Sequence, residues 1–278
     1  MIKKSSSHAG VRNTVLSSAP LLSLILILSV MLSGAAYAES EETLCFIEIS
    51  DAELDNSGCG IEETLPGDIY ADAVRKAAGT DLAVVSAGAF GEKRLTHGRV
   101  VLSGVNGSLT RDMSIVTAAV TAPELKSILE EAVSGIVLDM ETEAVLREES
   151  HSARFLQISG FTMVCDASAP AGDRIMSVTA GGEELDLTDG GRVFTLAADE
   201  DALAGFGADA ETGYTLSEAL VRYLPELDGL TEYPMGRISI VGTTDNRLID
   251  DIPIWAVAFA AVFFTMAALL IRRAKERE

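Results

Sequence analysis

Gly67-Asp68-Ile69-Tyr70-Ala71-Asp72-Ala73-Val74-Arg75, followed after a short gap by Asp81-Leu82-Ala83-Val84-Val85-Ser86-Ala87-Gly88, is the stretch from which the fold of this chain is read. Pro66-Gly67 opens a helix that runs through Ala78, because proline suits the first turn, where its missing N–H costs nothing. Ile69, Ala73, Val74 and Ala77 fall on one face of that helix, and Gly79 marks its exit. Leu82–Ser86 is a β-branched apolar run of strand length, which reads as a buried strand, and Ala87-Gly88-Ala89-Phe90-Gly91 turns away from its end. A loop leaving such a strand is a common place for a ligand.

Upstream, residues 39–64 form an acidic leader with one short strand at Leu44–Ile49. Downstream, Met113–Thr121 alternates like a strand and runs into Thr121-Ala122-Pro123-Glu124, a capping box with proline in the first turn. The helix it starts carries Leu125, Ile128, Leu129, Ala132 and Val133 on one face. Residues 139–151 are mostly charged and read as a solvated connection. Strands follow at Phe155–Ile158 and Phe161–Asp166, then a hairpin of Ile175–Ala180 and Leu185–Leu187 around Gly181-Gly182, then a strand at Val193–Ala198. A second capping box, Thr215-Leu216-Ser217-Glu218, begins a helix that ends at Leu224 ahead of Pro225, and Gly236–Val241 is the last strand. The whole is an α+β pattern suited to one domain.

The ends of the chain have a different character. Residues 1–38 carry Lys3, Lys4 and Arg12 but no acid, then an apolar run to Leu32 and a small-residue site, so a signal peptide cleaved after Ala38 is expected. Residues 252–271 hold 20 positions without a charge, enough for a transmembrane helix, after a linker over 241–251. The basic tail 272–278 is then cytoplasmic by the positive-inside rule. The expectation is a single-pass protein of the cell membrane with an extracytoplasmic ectodomain.

Charge sorts by segment. The chain carries −21 overall, but residues 39–251 contain 14 basic and 40 acidic side chains, net −26. A surface this acidic excludes nucleic acid as a partner, because phosphate neutralisation is absent. Cys45 and Cys59 are near enough to close a small disulfide loop, with Cys165 left over; a pair of thiols suits the same three cysteines equally well.

The order of these motifs resembles the C-terminal domain of bacterial 5'-nucleotidases. Gly67–Arg75 and Asp81–Gly88 are similar to that domain's "G-N-x-x-A-D-A-x-R … D-x-A-x-x-N-x-G" opening, and Glu124–Glu130 to its "E-L-K-x-x-L-E" helix. Phe155-Leu156-Gln157-Ile158-Ser159-Gly160 resembles "F-L-Q-V-S-G", and Phe194–Glu200 resembles "Y-x-V-A-T-N-D". The likeness covers residues 65–240 and implies a layered α/β/β/α domain that supplies a nucleotide pocket, while hydrolysis belongs to a preceding metallophosphoesterase domain with two metal ions.

No metal motif of that other domain stands in this sequence, whose mature part has only His97 and His151, so no cofactor and no catalytic residue are expected here. In the pocket, Gly91 stands where the family's phosphate-facing Arg stands, and a bidentate guanidinium has no equivalent in glycine. The residues expected to meet a ligand are Phe206, in a glycine-flanked loop, with Phe155 as a second stacking ring, and Asp209, Arg94 and Arg111 as polar contacts. Lys93, Arg94, Arg99 and Arg111 are expected to form a local positive patch. The function implied is a membrane-anchored nucleoside- or nucleotide-recognition or interaction module; the alternatives are a subunit that completes a phosphohydrolase with a separate metallophosphoesterase chain, and a structural surface protein.

Overall fold

The computed structural model describes residues 41–138, 145–147 and 153–242. The expected signal peptide, the span over 252–271 and the basic tail lie outside the described residues; among those described, no helix is long and apolar enough to cross a membrane.

The motif that opened the sequence reading folds as expected. Helix α1 (Leu65–Ala78) is capped by Thr64, whose side chain accepts from the Gly67 N–H, and it ends at Gly79, held at φ 67° with its N–H on the Arg75 carbonyl. Strand β2 (Leu82–Ser86) is buried at every position. It lies inside a five-stranded mixed sheet, parallel to β11 (Val193–Asp199) and antiparallel to β7 (Leu156–Ser159). Beyond β11 come β4 (Ser114–Thr121) and the edge strand β12 (Ala210–Thr215), both antiparallel to their neighbours. A strand covered on both faces has to be apolar throughout, which is why β2 reads as a continuous run.

One face of this sheet presents Ala83, Val85, Ile115 and Ala197 to Ile69, Tyr70 and Val74 of α1 and to Leu216 and Leu220 of α4 (Leu216–Tyr223), whose start is the second capping box. The opposite face presents Leu82, Val84, Val116, Ala118 and Leu196 to Leu125, Ile128 and Leu129 of α3 (Ala122–Val133). The same core takes in Phe161, Met163, Ile175 and Val178 of a four-stranded sheet, ordered β10 (Glu183–Glu184), β9 (Ile175–Ala180), β8 (Phe161–Asp166) and β13 (Ile238–Val241). The turn from β7 to β8 is Gly160, at φ 88°, where a Cβ would lie 2.3 Å from the Asp81 carbonyl oxygen.

β1 (Thr43–Ile47) pairs with β3 (Gly98–Val101), and α2 (Leu102–Gly107) follows it; the sequence reading lacks both β3 and α2. β5 (Ile136–Leu138) pairs with β6 (Val145–Arg147), inside the stretch read as a connection. The hairpin partner of β9 is Glu183–Glu184 rather than Leu185–Leu187, although the Leu185 N–H still reaches the Val178 carbonyl at 2.8 Å.

Of the two alternatives left open for Cys45 and Cys59, the structure shows no disulfide between them. Cys45 points into the core beneath α1, and burial followed by the nearby Asp228 charge pushes its thiol up to about 11. Cys59 instead packs between the two cores with its sulfur 4.0 Å from the Ala87 carbonyl oxygen.

Candidate functional site

Because β2 and β11 run parallel, their carboxyl ends emerge side by side, the position at which loops can converge on a ligand. Asp199 ends β11 with no exposed surface and joins the two exits. Its carboxylate accepts the Ser86 N–H at 2.6 Å, the Ser86 hydroxyl at 2.9 Å, and the N–H groups of Asp201 and Ala202 at 3.1 Å each. Burial raises its pKa against the lowering effect of these donors. The bend after β2 and the loop after β11 are therefore held as one unit.

Between them opens a cavity of about 230 Å³. Its floor is Ser86, Gly88, Ile128, Ala132 and Leu156, and Phe206 forms one wall. Gly205 and Gly207 flank that ring at φ 97° and 86°, a pair of left-handed residues that turns the chain sharply and leaves the phenyl 43% exposed. A flat, accessible ring over an alanine- and isoleucine-lined slot suits a planar heterocycle. The charged groups at the rim are paired: Arg154 with Glu131, and Asp201 with Arg111 at 2.8 Å, Arg111 also meeting Glu200.

Gly91 lies outside this lining, and the backbone explains its lack of a side chain. Its N–H bonds the Ser108 carbonyl at 2.9 Å, and a Cβ there would stand 2.9 Å from the Leu109 oxygen and 3.0 Å from the Leu109 carbonyl carbon. Any larger residue must push two hydrogen-bonded backbone segments apart.

The structure brings together only part of the expected set. Phe206 lines the cavity, and Arg111 reaches its rim through Asp201. Phe155 is a correction: it is fully buried among the core residues, because the chain enters β7 there with the Phe155 carbonyl bonded to the Ala87 N–H at 2.7 Å. Asp209 is not among the residues lining the cavity; its carboxylate accepts the Ala119 N–H of β4 at 2.7 Å. Arg94 pairs with Asp55 at 2.9 Å and Arg99 bonds the Thr43 hydroxyl at 2.7 Å. The expected positive patch is thus divided among separate partners, two of its arginines among acids.

Sequence reasoning misses Ser86, Asp199, Glu131 and Arg154 as site residues. The signal for the first two is present, a hydroxyl and a carboxylate each closing an apolar strand; that for Glu131 and Arg154 exists only in three dimensions. Among the described residues, no group of three or more His, Cys, Asp or Glu is placed to hold a metal ion.

Comparison with known proteins bears on the family and the fold. A family profile described as "5'-nucleotidase, C-terminal domain" matches residues 38–197. The fold is similar to a 5'-nucleotidase precursor from Thermus thermophilus, with TM-score 0.60 and 20% identity over 80% of this chain and 43% of that one. It is similar also to a putative 5'-nucleotidase from Staphylococcus aureus solved with alpha-ketoglutarate, at TM-score 0.60 and 11% identity over 72% and 41%. A third is the NAD nucleotidase of Haemophilus influenzae, at TM-score 0.54 and 14% identity over 79% and 41%. The chain thus spans less than half the length of each of these solved structures. No curated protein matches it in sequence.

Proposed function

This chain belongs to the 5'-nucleotidase C-terminal domain family, and from that premise we propose that it recognises nucleosides at the extracytoplasmic face of the cell membrane without hydrolysing nucleotides on its own. The cavity between Ser86 and Phe206 carries the reading. At about 230 Å³ it falls below the roughly 300–1,000 Å³ usual for drug-sized ligands. That size favours a base with its sugar over a nucleotide with its phosphates. The rim favours the same choice, since Arg154 and Arg111 are each engaged by carboxylates. A phosphate would have to displace an acid to gain a cation, within a segment of net charge −26.

Two measurements on the full-length chain test this. Adenosine should raise the melting temperature more than AMP does, because a ligand specific to the native state stabilises it. No phosphate should be released from AMP or UDP-sugars with Mn²⁺, Zn²⁺ or Co²⁺; turnover that Phe206→Ala abolishes would sink the proposal.

A second reading is that a separate metallophosphoesterase chain supplies the chemistry and this one the substrate pocket. Phosphate release on mixing the two, absent from either alone, would select it.

A further inference from the structure

Asp68 on α1 is completely buried, and among the described residues neither of its oxygens has a hydrogen-bond donor. A buried carboxylate without donors is among the costliest states a side chain can occupy, so its protonation depends on every titratable group around it. Glu63 approaches from the segment ahead of the helix, Asp72 lies one turn further along α1, and Arg237, Tyr233 and Tyr223 complete the ring of titratable groups.

Arg237 gives its terminal nitrogens to Asp72, at 2.9 and 2.7 Å, and leaves only Nε toward Asp68 Oδ2, at 3.5 Å. Asp72 also accepts from the Tyr233 hydroxyl at 2.5 Å, which meets the Tyr223 hydroxyl at 2.8 Å, and from Ser159. Arg75 is turned to Ser159 at 2.7 Å. Three carboxyl groups therefore gather around Arg237: Asp72 and Asp68 at its guanidinium and Glu63 at its main-chain N–H, the guanidinium and both aspartates being largely closed to water.

Glu63 has a second role. Its Oε1 accepts the N–H groups of Gly236 and Arg237, at 2.8 and 2.9 Å, and its Oε2 that of Ile238, at 3.1 Å. It grips the chain where β13 begins, the segment that leads toward the span expected over 252–271.

We propose that Glu63 and Asp68 share one proton, and that this proton clasps residues 236–241 onto the body of the domain, so that the clasp loosens as pH rises. With Asp68 protonated, its hydroxyl becomes the donor that Glu63 lacks on that side, and the cluster holds two negative charges against one positive instead of three. Burial first, then the bond to Glu63, pushes Asp68 up to about 9, against the opposing pull of Arg237. Burial also acts to raise Glu63, but the Asp68 donor and the three backbone N–H groups outweigh it and leave Glu63 below its usual value.

The sign follows from proton linkage. Once the clasp opens, Asp68 returns toward 3.8, so the closed form holds the extra proton and its advantage is complete at low pH. The advantage shrinks about tenfold per pH unit above that value and is gone once pH passes the closed-state value. Asp199 is raised as well and contributes to global stability with the same sign, so the test has to be local.

Hydrogen exchange of the full-length chain supplies it, followed by mass spectrometry on peptides covering 236–241 between pH 6 and 9 and corrected for intrinsic exchange. The opening constant of these amides should rise about tenfold per pH unit in the native sequence. In Asp68→Asn it should stay level, because an amide donates to Glu63 at every pH. Glu63→Gln should also remove the slope, since its amide donates to ionised Asp68, while protection at pH 6 falls because only one of two acceptor oxygens remains. Protection of 236–238 that is independent of pH in the native sequence, or a slope that persists in either variant, would overturn the proposal.

Discussion

Replacing Gly91 by alanine isolates the space that the pocket's missing arginine would need. A Cβ would stand 2.9 Å from the Leu109 oxygen, so the two segments must separate by about 0.5 Å to reach ordinary contact. They are held by bonds of 2.9 Å on both sides of the contact, Gly91 N–H to Ser108 and Thr110 N–H to Ala89. Overpacking of this kind costs about 1–3 kcal/mol, and the entropy lost by the unfolded chain on replacing glycine returns about 0.4–1 kcal/mol. The net destabilisation is about 0–2.6 kcal/mol, which in a domain of this size lowers the melting temperature by at most roughly 10 °C. Gly91→Arg should suffer at least as much and gain no preference for AMP over adenosine, because the backbone that must move also carries the bend after β2. Thermal unfolding of both variants, with and without each ligand, is the assay. Native melting temperatures together with a new phosphate-dependent stabilisation in Gly91→Arg would refute the reasoning.

The two phenylalanines should separate cleanly. Phe206→Ala should leave urea stability nearly unchanged, yet weaken adenosine about five- to 150-fold by titration calorimetry, from roughly 1–3 kcal/mol of stacking. Phe155→Ala should cost about 3–5 kcal/mol of stability as a core truncation in the same denaturation. Asp199→Ala removes the carboxylate that accepts from the Asp201 N–H and both donors of Ser86, while the Ala202 N–H keeps the Asp199 carbonyl at 3.1 Å, so a loss of about 2–3 kcal/mol is expected, together with faster exchange at residue 201. Peptide mapping under non-reducing conditions should find no link between Cys45 and Cys59, and Cys45 should alkylate slowly at pH 8 until the chain is denatured.

Helices α1, α3 and α4 are legible in the sequence because each combines a capping signal with an apolar face, local devices that need no knowledge of the rest of the chain. β2 and β11 are legible because strands buried on both faces leave long apolar runs. β12 is not: it is a half-exposed edge strand, Ala-Glu-Thr-Gly-Tyr-Thr, and its assignment rests on β4 beside it. α2 is equally opaque, since Leu-Ser-Gly-Val-Asn-Gly has the composition of a turn and becomes helical where Val105 is drawn into the core. At the site, Phe206 is marked by its two glycines. Phe155 has no such mark, and its place in the core is set by the strand it enters.

The pairing of β2 with β11 also fixes when this protein can become native. Ser86 and Asp199 are 113 residues apart, and the Phe46 N–H bonds the Asp228 carboxylate across 182. Loops of that length must close before the central sheet returns any energy, which places the domain among the slow, high-contact-order folders. A chain emerging from its N-terminus would present α1 and β2 early, with Leu82, Val84 and Val85 lacking their parallel neighbour until Val193–Asp199 has followed. The early half then depends on remaining unaggregated for as long as the later half takes to arrive.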